Sequence, residues 1–539
     1  MILSHAEIDE IDGKHFDFII LGGGINGIAI QKEASSRGYK TLLIDKNDFL
    51  TGATSHSSRL IHGGLRYLEY FEFELVYESL KSRQYLIDHF AHLVKPINLN
   101  IPILKKRGRP GWMIKAGLML YDILSLKKSL PNHKHQSPKE FLKRFSDFNS
   151  KSLKSSYSYY DAQIEWPERL CLQLLHSIPS QNFSMNYVVI KSHNFEKGQF
   201  NFQLQSLQNN QSVRISADLV INASGPWVDL SNKKLNVETQ EMGGTKGSHI
   251  VINERLTPDM QGIYVEAKQD GRPFFILPWM GKTLIGTTDI HYSDSLDWVT
   301  INHSEYEYLL HELKLLFPEK SFDKIQYTFS GIRPLPKVDE KHKTAKITRM
   351  HSFNRVGKNK KIIDVIGGKL TTFPELSFDL LGIIDKEFRR KTALESFFSR
   401  KTDFIPSISD LKTAVRILFL QYEVHLSDLE IDRMVSFYGE PFFHFLKTES
   451  TLSKHDFVKI HESLPQYSVE LKFILKQETV LTWSDLFERR TDIAVRIGHE
   501  RKLWNDVFLS LENLNLTIDK MGVTSQDYLN QFMKFRFSF

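Results

Sequence analysis

Three glycines, Gly22, Gly24 and Gly27, stand at the spacing G-x-G-x-x-G. A dinucleotide pyrophosphate needs a backbone it can approach closely and a helix N-terminus whose free N–H groups face it; a Cβ at these positions blocks that approach. An acid about twenty residues further on serves the ribose hydroxyls, and Asp45 stands there. The same acid repels a 2′-phosphate, so the pattern argues against NADP but does not separate NAD from FAD. From Thr51 to Tyr67 the chain reads TGATSHSSRLIHGGLRY. Hydroxyls, glycines, Arg59, Arg66 and His62 make it a poor core and a good ligand loop.

The elements that must hold these residues are legible around them. Phe16 to Leu21 is an apolar run read as a buried strand, and Gly22-Gly23-Gly24 breaks it. Ile25 to Ser36 reads as a helix stopped by Gly38, and Thr41 to Ile44 as a second strand. Together they form a βαβ unit that gives the glycines their context; a mere glycine-rich turn is the alternative. Val76, Leu80, Ile87 and Phe90 predict an amphipathic helix over Glu72 to Phe90. Trp112 to Leu124 is another helix, for core packing or for a membrane face. Asp218 to Asn222 is a strand, and Phe274 to Leu277 with Thr283 to Ile285 form a hairpin around Met280-Gly281. Ile362 to Ile366 is a strand closed by Gly367-Gly368.

From about Lys391 glycine becomes rare and helical periodicity dominates, as in Leu411 to Tyr422 and Asp428 to Tyr438. Ser427 and Glu430 have the spacing of a capping box. The tail from Lys534 to Phe539 alternates basic and aromatic residues, which suits a strand, a docked tail or a lipid contact.

The chain has 539 residues, too many for one hydrophobic core. Its net charge of +6 suits an anionic substrate, an anionic cofactor, a lipid surface or nucleic acid, and alone decides nothing. Lys105-Lys106-Arg107 and Lys358 to Lys361 are basic clusters read as exposed loops. The one cysteine, Cys171, excludes an intrachain disulfide and fits a reducing compartment; it reads as a small buried apolar residue. No secretory signal and no bilayer-spanning apolar run is expected, so a membrane would be met at its surface.

In these segments the chain resembles the FAD-dependent glycerol-3-phosphate dehydrogenases. The resemblance runs through GGGINGIAI (Gly22 to Ile30), SSRLIHGGLRYLE (Ser57 to Glu69), NASGPWVD (Asn222 to Asp229) and KGSHIV (Lys246 to Val251). LPW (Leu277 to Trp279), IGTTD (Ile285 to Asp289), SGIRPL (Ser330 to Leu335) and GGKLTT (Gly367 to Thr372) complete it. It covers roughly the first 380 residues and implies an α/β protein with three parts. These are a Rossmann-type FAD-binding domain (1–100, 165–245 and 345–390), an interleaved mixed-sheet substrate domain (101–164 and 246–344) and an all-helical C-terminal domain (391–539).

The resemblance also implies roles. FAD is expected against Gly22, Gly24, Asn26, Gly27, Asp45, Thr54, Ser55 and Ser58. The same set continues through His62, Gly63, Gly64, Leu65, Ala223, Gly225, Gly368, Lys369, Leu370 and Thr371. Arg66, Arg333, Arg349 and Lys369 gather around a substrate phosphate, with Tyr67 near the site. Guanidinium forks and an ammonium suit a phosphate dianion. Arg333 sits at a strand end; Arg349 is placed on a strand, where a solvated face is the alternative. A base must take the C2 hydroxyl proton, and histidine is suited to it. His249 is favoured over His62, which would instead contact the flavin. Arg333 and Lys369 complete the catalytic set, and Lys369 beside the flavin would also stabilise its reduced anionic ring. No metal ligand set is expected.

The implied substrate is sn-glycerol 3-phosphate, the product dihydroxyacetone phosphate and the final acceptor a quinone. The implied location is cytoplasmic, peripheral on the inner face of the cell membrane, with a homodimer left open. Oxygen as acceptor, an amine or amino-acid oxidase, a nucleic-acid-binding flavoprotein and a catalytically dead scaffold are the competing readings. The chain departs from the family in three places. Asp45 replaces glutamate, Ser224 replaces threonine or alanine, and Phe373-Pro374 replaces an aromatic followed by arginine, which removes a cation and an N–H.

Overall fold

The computed structural model describes residues 8–105, 107–125, 128–322, 324–337, 349–390, 393, 396–399, 407–516, 518 and 520–537. Lys106, the expectations for residues 1–7, and the tail residues Ser538 and Phe539 lie outside them. Among the described residues the strands form two sheets, one of eight and one of ten strands.

The first sheet grows from the predicted βαβ unit. His15–Leu21 pairs in parallel with Thr41–Ile44 on one side and with Ser212–Asn222 on the other. Ile362–Ile366 continues the parallel order beyond Ser212–Asn222, and Phe183–Met185 beyond Thr41–Ile44. Helix Ile25–Ser36 is buried on nearly all sides, packed between the sheet and helix Phe373–Glu387. Leu21 is in register with Ile44 and with Asn222, and Asn222 with Asp364. Gly22, Asp45 and Ala223 therefore emerge together at the carboxyl ends of parallel strands, where open α/β sheets bind ligands.

The second sheet is mixed. Val94–Leu104 pairs antiparallel with Leu153–Ile164 along its length and parallel with Gln261–Glu266. Thr245–Ile252 lies between Lys282–Gly286 and Ile325–Arg333, setting His249 opposite Gly286 and Phe329, and Thr245 opposite Arg333. The expected hairpin is present: Pro273–Trp279 returns as Lys282–Gly286 through Met280 and Gly281, both at positive φ (54° and 75°), the geometry that suits the twist of a two-residue turn.

The boundary expected at residue 100 does not coincide with a sheet boundary. Leu60–Ile61 precedes it and Val94–Leu104 spans it, yet both pair into the second sheet, because long strand pairing with Leu153–Ile164 outweighs position in the chain. Past residue 407 the described chain is helical, and Asp428–Tyr438 starts with the predicted capping box: Ser427 Oγ accepts from Glu430 N at 3.3 Å while Ser427 N donates to Glu430 at 2.9 Å.

The tail is not a strand. Ser525–Phe537 is a helix docked on Ile325–Arg333, with Thr328 Oγ1 donating to Arg536 O and Arg536 paired with Glu488 at 2.5 Å. Arg107 also departs from its expected exposed loop: it pairs with Glu312 at 2.6 Å, and both side chains are mostly buried. Cys171 is fully buried. The C-terminal helices are anchored to the first sheet by charge. Asp48, just past the second strand, accepts from Arg489 Nε at 2.6 Å and from both terminal nitrogens of Arg490 at 2.9 and 2.8 Å. No helix among the described residues is long and apolar enough to cross a membrane.

Candidate functional site

A cavity of about 1140 Å³ runs from the carboxyl ends of the parallel strands to the face of the mixed sheet. Its first end is built for an anion. Gly24 caps helix Ile25–Ser36 without a side-chain hydrogen bond, and the first turn carries no acid. The free N–H groups and the helix dipole there favour a phosphate. Ile25 N is taken by Thr54 Oγ1 at 3.1 Å. A Cβ on Gly27 would lie 2.0 Å from Gly22 O, so only glycine lets the helix meet the strand this closely.

Asp45 lines the cavity and accepts from Gly23 N at 2.7 Å and from Asn47 N at 2.9 Å. Burial pushes its carboxyl up to about 6 against those two hydrogen bonds. The shorter acid is thus used twice by the backbone before any ribose is considered. Asn26 reaches Gly367 O at 3.5 Å while its Oδ1 is buried without a partner. A helix N-terminus with a glycine at its N-cap, an acid at the strand end and an unpaired amide oxygen in one cavity fit a dinucleotide.

At the other end the cavity meets the mixed sheet. His249 stacks on Phe329, with ring centroids 4.7 Å apart, and its Nε2 is 2.8 Å from Ser58 Oγ. Nδ1 is buried without a partner. Burial, then Arg333 and Arg59, hold the imidazole well below its ordinary range, so it is neutral at neutral pH and keeps a lone pair. Arg333 donates to Asp289 at 3.0 Å, to Thr287 Oγ1 at 3.1 Å and to Thr288 O at 3.0 Å. Lys369 Nζ sits 4.2 Å above the Tyr67 ring and 3.0 Å from Ser79 Oγ. Burial first, then Arg349, pushes Lys369 down to about 7. The Arg349 guanidinium lies 5.9 Å from the same ring. Arg349 precedes strand Ser352–Val356 rather than lying on it, which frees its side chain to turn into the cavity. Arg66 lines the cavity with Nε buried and unpartnered.

All five residues expected around the substrate (Arg66, Tyr67, Arg333, Arg349 and Lys369) thus line one cavity, with His249 beside them. Of the residues expected against the cofactor, Gly22, Gly24, Asn26, Asp45, Thr54, Ser58 and His62 also line it. So do Gly64, Leu65, Ala223, Gly225, Gly368, Leu370 and Thr371. Three do not. Gly27 is spent on helix–strand packing, Ser55 Oγ donates to Leu50 O at 2.6 Å, and Gly63 N donates to Tyr121 OH at 2.9 Å. His62 is pushed down to about 3 by burial and by Lys369 and Arg349, with its backbone N on Thr371 Oγ1 at 3.3 Å. Pro374 lies in the first turn of helix Phe373–Glu387, where a missing N–H costs nothing. Sequence reasoning missed His56, Arg272, Thr287 and Asp289, which also line the cavity. Thr287 and Asp289 stood inside the quoted IGTTD segment and His56 inside the loop from Thr51 to Tyr67; Arg272 carried no signal.

The comparisons with known proteins agree with this geometry. Residues 17–356 match the family model "FAD dependent oxidoreductase", and the chain belongs to that class of flavoenzymes. A glycerol-3-phosphate dehydrogenase of Synechocystis sp. is 37% identical over 98% of this chain and 96% of its own length. A D-erythritol 1-phosphate dehydrogenase of Brucella abortus is 31% identical over 67% of this chain and 72% of its own. The crystal structure of the glycerol-3-phosphate dehydrogenase from Bacillus halodurans, complexed with FAD, shares the fold with a TM-score of 0.72 at 22% identity. It covers 99% of this chain and 98% of that one. Within the flavoenzymes the chain is a member of the FAD-dependent glycerol-3-phosphate dehydrogenase family.

Proposed function

We propose that the protein oxidises sn-glycerol 3-phosphate to dihydroxyacetone phosphate and passes the electrons to a membrane quinone. The observation that carries this is the convergence of Arg66, Arg333, Arg349 and Lys369 on the cavity wall beside His249. The two relatives named above act, by name, on phosphorylated polyols. A phosphate is the feature those substrates share, and a cation cluster is what binds it.

In this reading Gly22, Gly24, Asn26 and Asp45 hold the dinucleotide half of FAD, and Thr54, Ser58, Gly368, Leu370 and Thr371 line its flavin half. FAD, when bound, supplies the acceptor for the hydride leaving C2. The eight-stranded sheet is the cofactor unit and the ten-stranded sheet the substrate unit. Arg349 forks the phosphate oxygens, Arg333, Arg66 and Lys369 add charge, and Tyr67 carries Lys369 on its face. Neutral His249 takes the C2 hydroxyl proton, oriented by Ser58.

A membrane acceptor is supported by helix Gly111–Leu124. Its inner face buries Ile114, Leu118 and Tyr121, while Trp112 (71% exposed), Met119 (50%) and Ile123 (58%) form an apolar outer stripe. Lys105 and Lys115 are exposed on the same stretch. An apolar stripe with flanking cations suits a helix lying in a lipid surface, here at the cytoplasmic face.

The test is anaerobic mixing. Glycerol 3-phosphate should bleach the flavin and glycerol should not; equal bleaching by both would remove the phosphate grip. Adding a short-chain quinone to the reduced protein should restore the colour faster than air does. Faster recovery in air assigns oxygen as acceptor.

A pH effect follows from Lys369. Its grip on the dianion needs the ammonium form, and with the group held down to about 7 that form is lost as pH rises through this value. kcat/KM, which reports the free enzyme, should therefore fall on the alkaline side from near pH 7. A profile flat to pH 9 would detach Lys369 from substrate binding.

A further inference from the structure

Behind the segment that carries Arg66 and Tyr67 lies a buried polar set that the reaction does not use directly. Arg83, on helix Phe73–His89, donates to Asp161 Oδ1 at 2.6 Å, and each side chain is 1% exposed. The Tyr121 hydroxyl donates to the same oxygen at 2.7 Å and accepts from Gly63 N at 2.9 Å. A second contact from Gly63 N reaches Asp161 itself at 3.5 Å.

We propose that Tyr121, Asp161 and Arg83 are positioning residues that fix the peptide at Gly63 and thereby aim Arg66 and Tyr67 into the cavity. The inference rests on the substrate reading above. Its first support is local geometry. The residue after the fixed peptide, Gly64, is at φ 79° and caps the short helix Leu65–Tyr70, and Tyr67 N donates back to Gly64 O at 2.9 Å. A Cβ on Gly63 would meet Tyr121 OH at 2.5 Å, and one on Gly64 the Tyr67 ring at 2.1 Å. The turn is therefore shaped around Tyr121 on one side and Tyr67 on the other, and a rotation of the Gly63 peptide would swing the short helix that bears Arg66.

The second support is chemical cost. Asp161 Oδ2 and Arg83 Nε and Nη2 are buried with no partner. An ion pair this incompletely satisfied is poor stabilisation, and well-packed apolar residues commonly do better. Holding one N–H in place gives the set a purpose that stability does not. Tyr121 is held well above its ordinary range by burial and by Asp161, so it keeps its proton, donates to the carboxylate and offers its lone pair to Gly63. The helix bearing Arg83 also presents Ser79, one turn earlier, to Lys369. One helix face thus steadies two of the phosphate-binding groups.

Tyr121→Phe keeps the ring and removes the hydroxyl. With a dye acceptor, KM for glycerol 3-phosphate should rise about tenfold, the scale of one buried hydrogen bond, with kcat changed less than twofold. Asp161→Asn, nearly isosteric, should raise KM in the same direction. Leu118→Ala, on the same helix as Tyr121 but with no polar group to offer Gly63, is the control for lost packing. It should lower the unfolding temperature and leave KM unchanged. An unchanged KM in a folded, FAD-loaded Tyr121→Phe protein would overturn the proposal. So would a KM that rises in Leu118→Ala as well, in proportion to lost stability. If glycerol 3-phosphate fails to reduce the wild-type protein, it is the substrate reading that falls, and the two failures are distinct.

Discussion

Arg333→Ala is expected to raise KM for glycerol 3-phosphate by roughly 10- to 150-fold, the equivalent of ~1.5–3 kcal/mol for a charge-assisted contact. The residue ends strand Ile325–Arg333, so its backbone is held by pairing with Thr245. Its guanidinium is held by Asp289, Thr287 and Thr288. A cation fixed from both ends loses little freedom when it meets a phosphate, and it offers its charge and its remaining Nε–H. Alanine also leaves the Asp289 carboxylate at the cavity wall without this cation, which adds repulsion to the lost contact. Lysine at 333 should recover only part of the loss, because an ammonium cannot keep the contacts to Asp289, Thr287 and Thr288 that hold the charge in place. Steady-state kinetics with a dye acceptor measure this; a KM within threefold of wild type would take Arg333 out of the phosphate site.

His249→Ala is expected to lower the rate of anaerobic flavin reduction by about 10²–10⁴-fold, the usual contribution of a positioned base. Product should still bind, since the cations are untouched, and a titration of the flavin spectrum with dihydroxyacetone phosphate would show it. The imidazole is held neutral by burial and by Arg333. A phosphate dianion beside Arg333 relieves part of that push, so substrate binding itself raises the basicity of the group that must accept the proton. Reduction at the wild-type rate in His249→Ala would place the base elsewhere.

The start of the fold was legible because several local signals agree there. Strand, glycines, helix, Gly38 stop and Asp45 are short-range features, and the parallel pairing of Leu21 with Ile44 follows from them, whereas the pairing of Leu21 with Asn222 does not. The loop from Thr51 to Tyr67 was legible by composition, and its neighbours in the cavity by resemblance. Arg272 was not, because a single polar residue carries no period, and His56 stood inside that loop with nothing to set it apart from its neighbours. Arg107 shows the same limit from the other side. In sequence it belongs to a basic cluster, but its partner Glu312 lies 205 residues away, and no local pattern announces a partner at that distance. Of the readings open for the tail, the docked one holds and the strand does not, for a related reason. Alternating Lys534 to Phe537 has a strand's period, yet Arg536 finds Glu488 and Thr328 from a helix, and tertiary contacts override the local pattern.

The pairing of Asp48 with Arg489 and Arg490 has a consequence for the order of events during synthesis. Asp48 belongs to the turn that carries Asn47 and Leu50 along the cavity, and its cations lie 441 and 442 residues downstream. A carboxylate buried without them costs about 3–5 kcal/mol, so this turn is expected to settle against the sheet only once Arg489 and Arg490 have been made and have docked on it. A fragment ending before Arg489 should therefore bind FAD more weakly than the whole chain, and a fluorescence titration with FAD would show it.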